Sequence, residues 1–460
     1  MKAGKAGGSR RKAEGGKSSR VVSPARRAAF NVLRRVEEEG AFSTVLLASV
    51  DDEMRAEDRA LAYELVLGVL RWQLFLDALI EHYSSRRAES LDVPVRRALR
   101  LGLYQLRFLS RVPQSAVVNE SVNLAHLSRL RSAAPFINAV LRRATREPDY
   151  DPAAEVAEPL ARLTIETSHP RWLVGRWVEA FGMEEAAAFA RANNEAPPTA
   201  FRVVAGRAHG QEVLDELRAA GGVLHESRVA PGAWRVEGAG AKLRGLARAG
   251  RIYLQDEASQ LVAHVLGARA GERVLDVCAA PGSKTTHVAT KTEDLSLIVA
   301  GDLYEHRLRT VAEAASRQGV RNLALVAHDA ETALPFPENS FDRVLVDAPC
   351  TGTGTLRRNP EIRWRITDRD VPILAARQER ILAHAARALR PGGRLVYSTC
   401  SVEREENEEV AARFLAREKD FEQVTLTAPE NLRSAGGYLR VWPHRDGADG
   451  FFISAFERKG

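Results

Sequence analysis

The sequence predicts an α/β chain in which an all-α bundle and a small α/β connecting module precede a parallel, doubly wound C-terminal sheet. Three observations predict it. Up to about residue 147 the apolar periodicity is helical, with no strand-like alternation. Short strand candidates separated by glycines then follow the Pro197-Pro198 break. After Gln255, short apolar runs alternate with helical segments, the pattern of repeated βα units.

The elements read in order as follows. Residues 1–21 are rich in Gly, Ser, Lys and Arg and are expected to be a disordered basic tail. A first helix is expected to open with Ser23 as cap and Pro24 in its first turn, and to close at Gly40. Ala29, Leu33 and Val36 share its apolar face, with Phe30 beside them. Further helical patterns run over 55–83, 95–109 and 116–130, and the bundle is assigned to 22–147. The connecting module is assigned to 148–255, with one helical run over 172–193 and strands at 201–204 and 251–254. The last domain, 256–460, carries strand candidates at 274–277, 297–300, 323–327, 344–346 and 394–397. No internal repeat is found.

Charge narrows the function class. The formal net charge is +7, from 67 basic and 60 acidic residues. The first twenty residues hold seven Lys or Arg against Glu14 alone, a net +6, so the body is nearly neutral. A basic tail suits phosphate backbone, as it also suits plain solvation. No run approaches the ~18 uncharged apolar residues of a membrane span. The N-terminus lacks the apolar stretch of a secretory signal, so a cytoplasmic location is expected. Three cysteines without a CxxC pair argue against a disulfide framework and a zinc site. Nothing marks an oligomer interface, and a monomer is expected.

The chemistry-bearing residues fall at strand ends, where doubly wound sheets bind ligands. The first strand runs into Cys278-Ala279-Ala280-Pro281-Gly282-Ser283-Lys284-Thr285. Small residues between strand and helix let a ligand approach the backbone and present amide donors. A phosphate-binding P-loop would need glycines where Cys278 and Ser283 stand, and the dinucleotide GxGxxG is also missing, leaving a nucleoside-binding turn. Asp302, ending the second strand, can accept ribose hydroxyls. Asp329, after the third, can face an adenine amino group. Either carboxylate would serve equally as a helix cap. The fourth strand ends at Asp347-Ala348-Pro349-Cys350 and the fifth at Ser398-Thr399-Cys400. A free cysteine is ordinarily a small buried hydrophobe. Here all three lie at strand ends of one sheet, and adjacent strand ends would gather two thiols and a carboxylate around one pocket.

That constellation fits methylation of a pyrimidine ring carbon. Carbon 5 of cytosine is a poor nucleophile until a thiolate adds to carbon 6. A neighbouring Asp at N3 and the exocyclic amine stabilises the charge that develops. The thiolate is the reactive form, so a lowered thiol pKa is expected. Amino-group methylases need no thiol and carry an Asp/Asn-Pro-Pro-aromatic turn where this chain has Asp-Ala-Pro-Cys.

These residues resemble the RsmB/Sun family of bacterial 16S rRNA cytosine-5 methyltransferases, within the NOL1/NOP2/Sun group. The family turn Cys-Ala-Ala-Pro-Gly-Gly-Lys-Thr stands here as Cys278 to Thr285, with Ser283 for the second glycine. Asp347 to Gly352, Tyr397 to Ser401, Glu406-Asn407-Glu408 and Asp449 to Phe452 match its other motifs. The bundle resembles the NusB-type RNA-binding fold through Arg100 to Leu106, Val117 to Val122 and Phe136 to Arg142.

The resemblance implies a Rossmann-like methyltransferase domain that uses S-adenosyl-L-methionine. It implies Cys400 as nucleophile and Cys350 as the residue assisting release. DNA cytosine-5 methylases attack through the Pro-Cys cysteine instead, so these roles rest on the family. It implies a cofactor pocket formed by Cys278, Ala279, Ala280, Pro281, Gly282, Ser283, Lys284, Asp302, Asp329 and Asp347, with Arg307 one turn into the following helix. Asp347 and Lys284 are expected to reach the base as well. The implied partner is 16S rRNA or the assembling small ribosomal subunit, and Arg96, Arg97, Arg100, Arg142 and Arg143 are candidates for phosphate contacts. Two rivals are a tRNA cytosine-5 methyltransferase and a non-enzymatic RNA-binding or antitermination factor.

Overall fold

The computed structural model describes residues 22–50, 54–127 and 130–460, so the expected basic tail, 1–21, lies outside the described residues. Two compact units are present, one comprising residues up to 69 together with 76–152, the other 70–75 together with 153–460.

The first unit is helical: α1 (Pro24–Glu39), α2 (Ser43–Ala48), α3 (Ala56–Arg71), α4 (Gln73–Ser84), α5 (Val93–Phe108), α6 (Gln114–Leu127) and α7 (Ala134–Arg146). Pro24 stands in the first turn of α1, and Gly40 ends it in the left-handed region at φ 66°, its N–H donating to Arg35 O. Ser23 does not cap with its side chain. Its hydroxyl instead accepts from Arg26 Nη1, and its N–H donates to Glu120. Ala29, Phe30, Leu33 and Val36 are buried as the periodicity requires. The pattern over 55–83 forms two helices, breaking at Trp72, where neither Gly nor Pro marks the corner.

Two of the five candidate phosphate contacts, Arg97 and Arg100, need correction. Arg97 and Arg100 are only 1% and 3% exposed. Arg97 Nε and Nη2 donate to Glu37 Oε2 at 2.8 and 2.6 Å, and Arg100 Nε and Nη2 grip Asp77 at 2.7 and 2.6 Å. Arg143 donates to Glu147 and to His82 O, and Arg96 to Ala88 O. Of the five, Arg142 alone is exposed. The stems of Arg97 and Arg100 are buried while their guanidinium heads pair with carboxylates, so this face of α5 is an interior one.

In the second unit the helical run over 172–193 is two helices, Arg171–Phe181 and Met183–Ala192, separated by Gly182 at φ 84°. Four antiparallel strands follow: β1 (Thr199–Val203), β2 (Val223–Glu226), β3 (Ala233–Glu237) and β4 (Ile252–Leu254), ordered β2-β3-β1-β4. Helices Gly210–Ala219 and Gly240–Arg248 cover one face through Val213, Leu217, Leu243 and Leu246, which pack with Phe201 and Val236.

The large sheet is built on β5 (Arg273–Asp276), β6 (Leu297–Asp302), β7 (Leu323–Ala327), β8 (Phe341–Asp347) and β9 (Leu389–Thr399), all parallel, in the order β7-β6-β5-β8-β9. Its central strands are near-continuous apolar runs because both faces are covered. Val274, Leu345 and Val396 enter the core on one face, and Leu275, Val344, Val346 and Leu395 the core on the other. Beyond β9 the sheet turns antiparallel: β10 (Phe421–Gln423) and β11 (Leu439–Val441) both pair with β12 (Phe451–Arg458), which pairs with β9. The expected parallel sheet is present, and this antiparallel extension is an addition to it.

The buried ion pairs give a direct expectation for stability. Arg97→Ala takes both donors from Glu37 Oε2, leaving that carboxylate only Arg100 Nη1 at 3.1 Å, and should cost about 3 kcal/mol in urea unfolding followed by circular dichroism. Arg142→Ala should change stability by less than about 0.5 kcal/mol.

Candidate active site

The strand order reverses at β5, with β6 on one side and β8 on the other. A crevice opens at the carboxyl ends of such strands. A cavity of about 290 Å³ lies there, lined among others by Cys278, Ala280, Asp302, Tyr304, Arg307, Asp329, Asp347, Cys350 and Cys400.

The turn after β5 folds as its small residues allow. Ala279 N–H donates to Gly301 O at 2.7 Å, tying the turn to β6, and Gly282 N–H returns to Ala279 O at 2.7 Å. Gly282 adopts φ 97°, and a Cβ there would also press on Val311 at 3.1 Å, so a glycine is required. Ser283, the departure from the family turn, opens helix Ser283–Lys291 in ordinary helical backbone, so it leaves the left-handed position untouched. Ala279, Pro281, Gly282, Ser283 and Lys284, all expected in the pocket, do not line the cavity, whereas Cys278 and Ala280 do.

Lys284, in the first turn of that helix, is buried and donates from Nζ to Asp347 Oδ2 at 2.7 Å, with Phe451 beneath it at 5.2 Å. Burial pulls the ammonium pKa down, but the Asp347 carboxylate and the Cys400 sulfur more than offset this, leaving it raised. Asp347 Oδ1 accepts from Ser398 Oγ at 2.8 Å. Asp302 accepts from the N–H groups of Ala280 and Tyr304 and from Arg307 Nη1 at 3.2 Å. Asp329 accepts from Glu331 N–H at 2.9 Å, as a cap would, while still lining the cavity. Asp276, buried beneath the turn, is pushed up to about 7 by burial, with the Thr285 hydroxyl opposing.

Cys350 and Cys400 are brought together, Sγ to Sγ at 3.4 Å. The Cys350 thiol is held protonated. The hydrogen bond with Cys400 and burial both push it well above the usual range. Cys278 is pushed up too, first by burial and then by Asp276. Burial and neighbouring anionic groups outweigh the Gly352 backbone hydrogen bond at Cys350 and the Arg377 charge near Cys278, so both thiols are held protonated.

Sequence reading missed Tyr304, Arg377, Ile381 and Ser398. Arg377 and Ile381 come from helix Asp370–Ala388 and carry no local signal. Ser398 was legible, standing opposite Asp347 in the β8–β9 register.

The family model of the 16S rRNA methyltransferase RsmB/F matches residues 263–457. The NusB family model matches 23–146, and the RsmF/B-like ferredoxin-like domain matches 169–241. The probable ribosomal RNA small subunit methyltransferase B of Bacillus subtilis is 35% identical over 442 residues, covering 94% of this chain and 98% of the relative. The chain belongs to the RsmB family of methyltransferases. Ribosomal RNA small subunit methyltransferase B of Pseudomonas putida is 36% identical over 411 residues, covering 88% of this chain and 91% of that one. The crystal structure of PH0851 matches with a TM-score of 0.82 at 28% identity, covering 95% of this chain and 99% of that one. The family's cofactor is S-adenosylmethionine. The acceptor-rich lining of Asp302, Asp329 and Asp347 fits a ligand bearing ribose hydroxyls, an amine and a sulfonium.

Packing beside the sulfurs is tight. A Cβ on Gly354 would fall 2.1 Å from Gly450 O and 2.8 Å from Cys400 O. Gly354→Ala should therefore lower stability by about 3 kcal/mol, read as a shifted urea midpoint at unchanged slope.

Proposed function

We propose that this chain transfers a methyl group from S-adenosylmethionine to carbon 5 of a cytosine in small-subunit ribosomal RNA through a covalent adduct on Cys400. The observation that carries the reading is the 3.4 Å approach of Cys350 and Cys400 beside the Lys284–Asp347 pair, at the carboxyl ends of neighbouring strands. Amino-group methylation has no use for two thiols there, whereas ring-carbon methylation uses both.

The bound cofactor supplies a methyl group on a positively charged sulfur. Cys400 as thiolate forms a bond to carbon 6, and the ring π pair moves onto carbon 5, which takes the methyl group. Lys284 and Asp347 present a donor and an acceptor to the N3 and exocyclic-amine edge, stabilising the charge that develops there. The carbon 5 proton then passes to a base, the double bond re-forms, and the carbon 6–sulfur pair returns to Cys400. Cys350, held as a thiol, donates toward the departing sulfur. Asp302 supports the ribose, and Arg307, paired to it at 3.2 Å, holds that carboxylate in place. The target must leave its stack, because carbon 6 is attacked from above the ring plane.

The substrate in this reading is 16S rRNA, alone or within the assembling subunit; in support stand relatives named for small-subunit ribosomal RNA and a family model named for 16S rRNA. In support of the notion that the N-terminal unit handles RNA stands its match to the NusB family.

Bisulfite sequencing of unmodified 16S rRNA after incubation with protein and cofactor should reveal one protected cytosine. Protection in tRNA alone would reassign the substrate, and no protection together with no cofactor binding in calorimetry would leave a binding factor. Cys400→Ser should abolish turnover, and Cys350→Ala should accumulate a protein–RNA adduct on denaturing gels. An active Cys400→Ser variant would sink the mechanism. Asp302→Ala should weaken cofactor binding about tenfold or more, roughly 1.4 kcal/mol.

A further inference from the structure

Glu406 is fully buried, yet it touches neither the cofactor cavity nor the Lys284–Asp347 pair. Its carboxylate gathers four donors. Oε1 accepts from Thr351 N–H and from Gln378 Nε2, both at 2.9 Å. Oε2 accepts from the Ser401 hydroxyl at 2.5 Å and from the Thr351 hydroxyl. Thr351 follows Cys350 and Ser401 follows Cys400, so one carboxylate is bonded to the residue next to each sulfur. Gln378 extends the tie, donating to Pro349 O at 2.9 Å on the other side of Cys350. Tyr397 completes it by donating to Gln378 Oε1 at 3.1 Å and to Glu406 O at 2.5 Å. Asn407 secures the second loop on both sides of Cys400, its Nδ2 donating to Ser401 O at 2.9 Å while its Oδ1 accepts from Thr399 Oγ1 at 2.5 Å.

The two sulfurs lie fifty residues apart in the chain and on different loops. Backbone pairing of β8 with β9 ends at Asp347–Ser398, before either cysteine. Beyond that point the loops meet directly through Gly354 N–H to Cys400 O at 2.9 Å, Thr353 Oγ1 accepting from Val402 N–H at 3.0 Å, and Ser401 Oγ with the Thr351 and Thr353 hydroxyls at 3.1 and 3.3 Å, and the hydrogen bonds converging on Glu406 add the tie that flanks both cysteines. A buried carboxylate is costly unless each lone pair is used, and here four donors satisfy it.

We propose that Glu406 is a positioning residue that clamps the Cys350 and Cys400 loops and so fixes the separation of the two sulfurs. The consequence for catalysis rests on the adduct mechanism above, in which Cys350 must meet the sulfur of Cys400 as it leaves. Geometry alone also makes a demand on the variants. Glutamine can keep its oxygen toward Thr351 N–H and Gln378, while its amide donates to hydroxyls that rotate to accept. Alanine removes the acceptor that all four share, leaving Gln378 Nε2 only Pro349 O, the two hydroxyls only neighbouring hydroxyls, and Thr351 N–H none.

The test reads sulfur placement without using the methylation reaction. Phenylarsine oxide bridges two nearby thiols, forming two As–S bonds and releasing water, and Cys350→Ala in the full-length chain gives the background. Wild type and Glu406→Gln should capture the arsenical within about threefold of each other, and Glu406→Ala at least about tenfold more weakly. S-adenosylmethionine binding by calorimetry should stay within about twofold in all three, reporting an intact fold. Turnover in Glu406→Ala should fall by about a hundredfold through kcat, with KM for the cofactor unchanged, and Glu406→Gln should recover it at least about tenfold. A cofactor-binding Glu406→Ala chain that captures the arsenical like wild type overturns the proposal. If that variant loses cofactor binding, Ser401→Ala takes its place, with capture weakened at least about threefold and wild-type capture overturning the idea. A wild-type chain that captures the arsenical but methylates no RNA would overturn the methylation reading instead.

Discussion

After β5 the chain lays β6 and β7 on one side, then crosses back to place β8 and β9 on the other. The loops leaving β5 and β8 must therefore diverge, and the space between them cannot be filled by a crossover. Everything chemical in the second unit is borrowed from that reversal. Cys278 leaves β5, Asp302 ends β6, Asp347 ends β8 with Cys350 in the loop after it, and Cys400 follows β9, so residues more than a hundred positions apart converge on one cavity. The strands that create the crevice are buried on both faces, which makes their ends rigid mounts for side chains.

Rigidity beyond the strand ends comes from polar groups buried with full sets of partners. Asp449 is held by Arg357 Nε at 2.8 Å and Arg358 Nε at 2.5 Å, and Arg358 also reaches Asp256 at 2.7 Å. Gly450, next in the chain, donates to Gly354 O at 2.8 Å, and Gly354 N–H donates to Cys400 O at 2.9 Å. The backbone of the Cys400 loop is thus linked, through two glycines that admit no Cβ, to a buried cluster of opposite charges. Such a cluster contributes little net stability over an apolar replacement, but removing one member leaves an uncompensated charge. Its value lies in fixing one arrangement of loops that have no strand partner.

Legibility followed the same division. The cysteines and Asp347 could be placed from the sequence because a doubly wound pattern dictates where strand ends lie, and Ser398 shares that logic through its register with Asp347. Gly40 and Gly182 mark helix ends through positive φ, and only the first was read. The corner at Trp72 has no such residue and was invisible. The antiparallel strand β12 was hidden because Phe451 and Phe452 stood out as a motif before they stood out as a strand. Arg97 and Arg100 misled because helical periodicity cannot distinguish a solvated basic face from one whose carboxylate partners arrive from elsewhere; Glu37 and Asp77 lie on other helices.

Two kinds of residue therefore share the site and obey different constraints. Cys350, Cys400 and Asp347 line the cavity, and Asp347, paired with the buried Lys284, keeps about a quarter of its side chain exposed at 28%. Glu406 and Asn407 meet no ligand, and the Glu406 carboxylate is saturated by four protein donors. Both kinds fall within the same sequence motifs. Separating them takes the hydrogen-bond inventory of the folded chain: a carboxylate whose acceptors are all filled from within can hold the machinery in place but cannot take a proton or a substrate without first releasing what it holds.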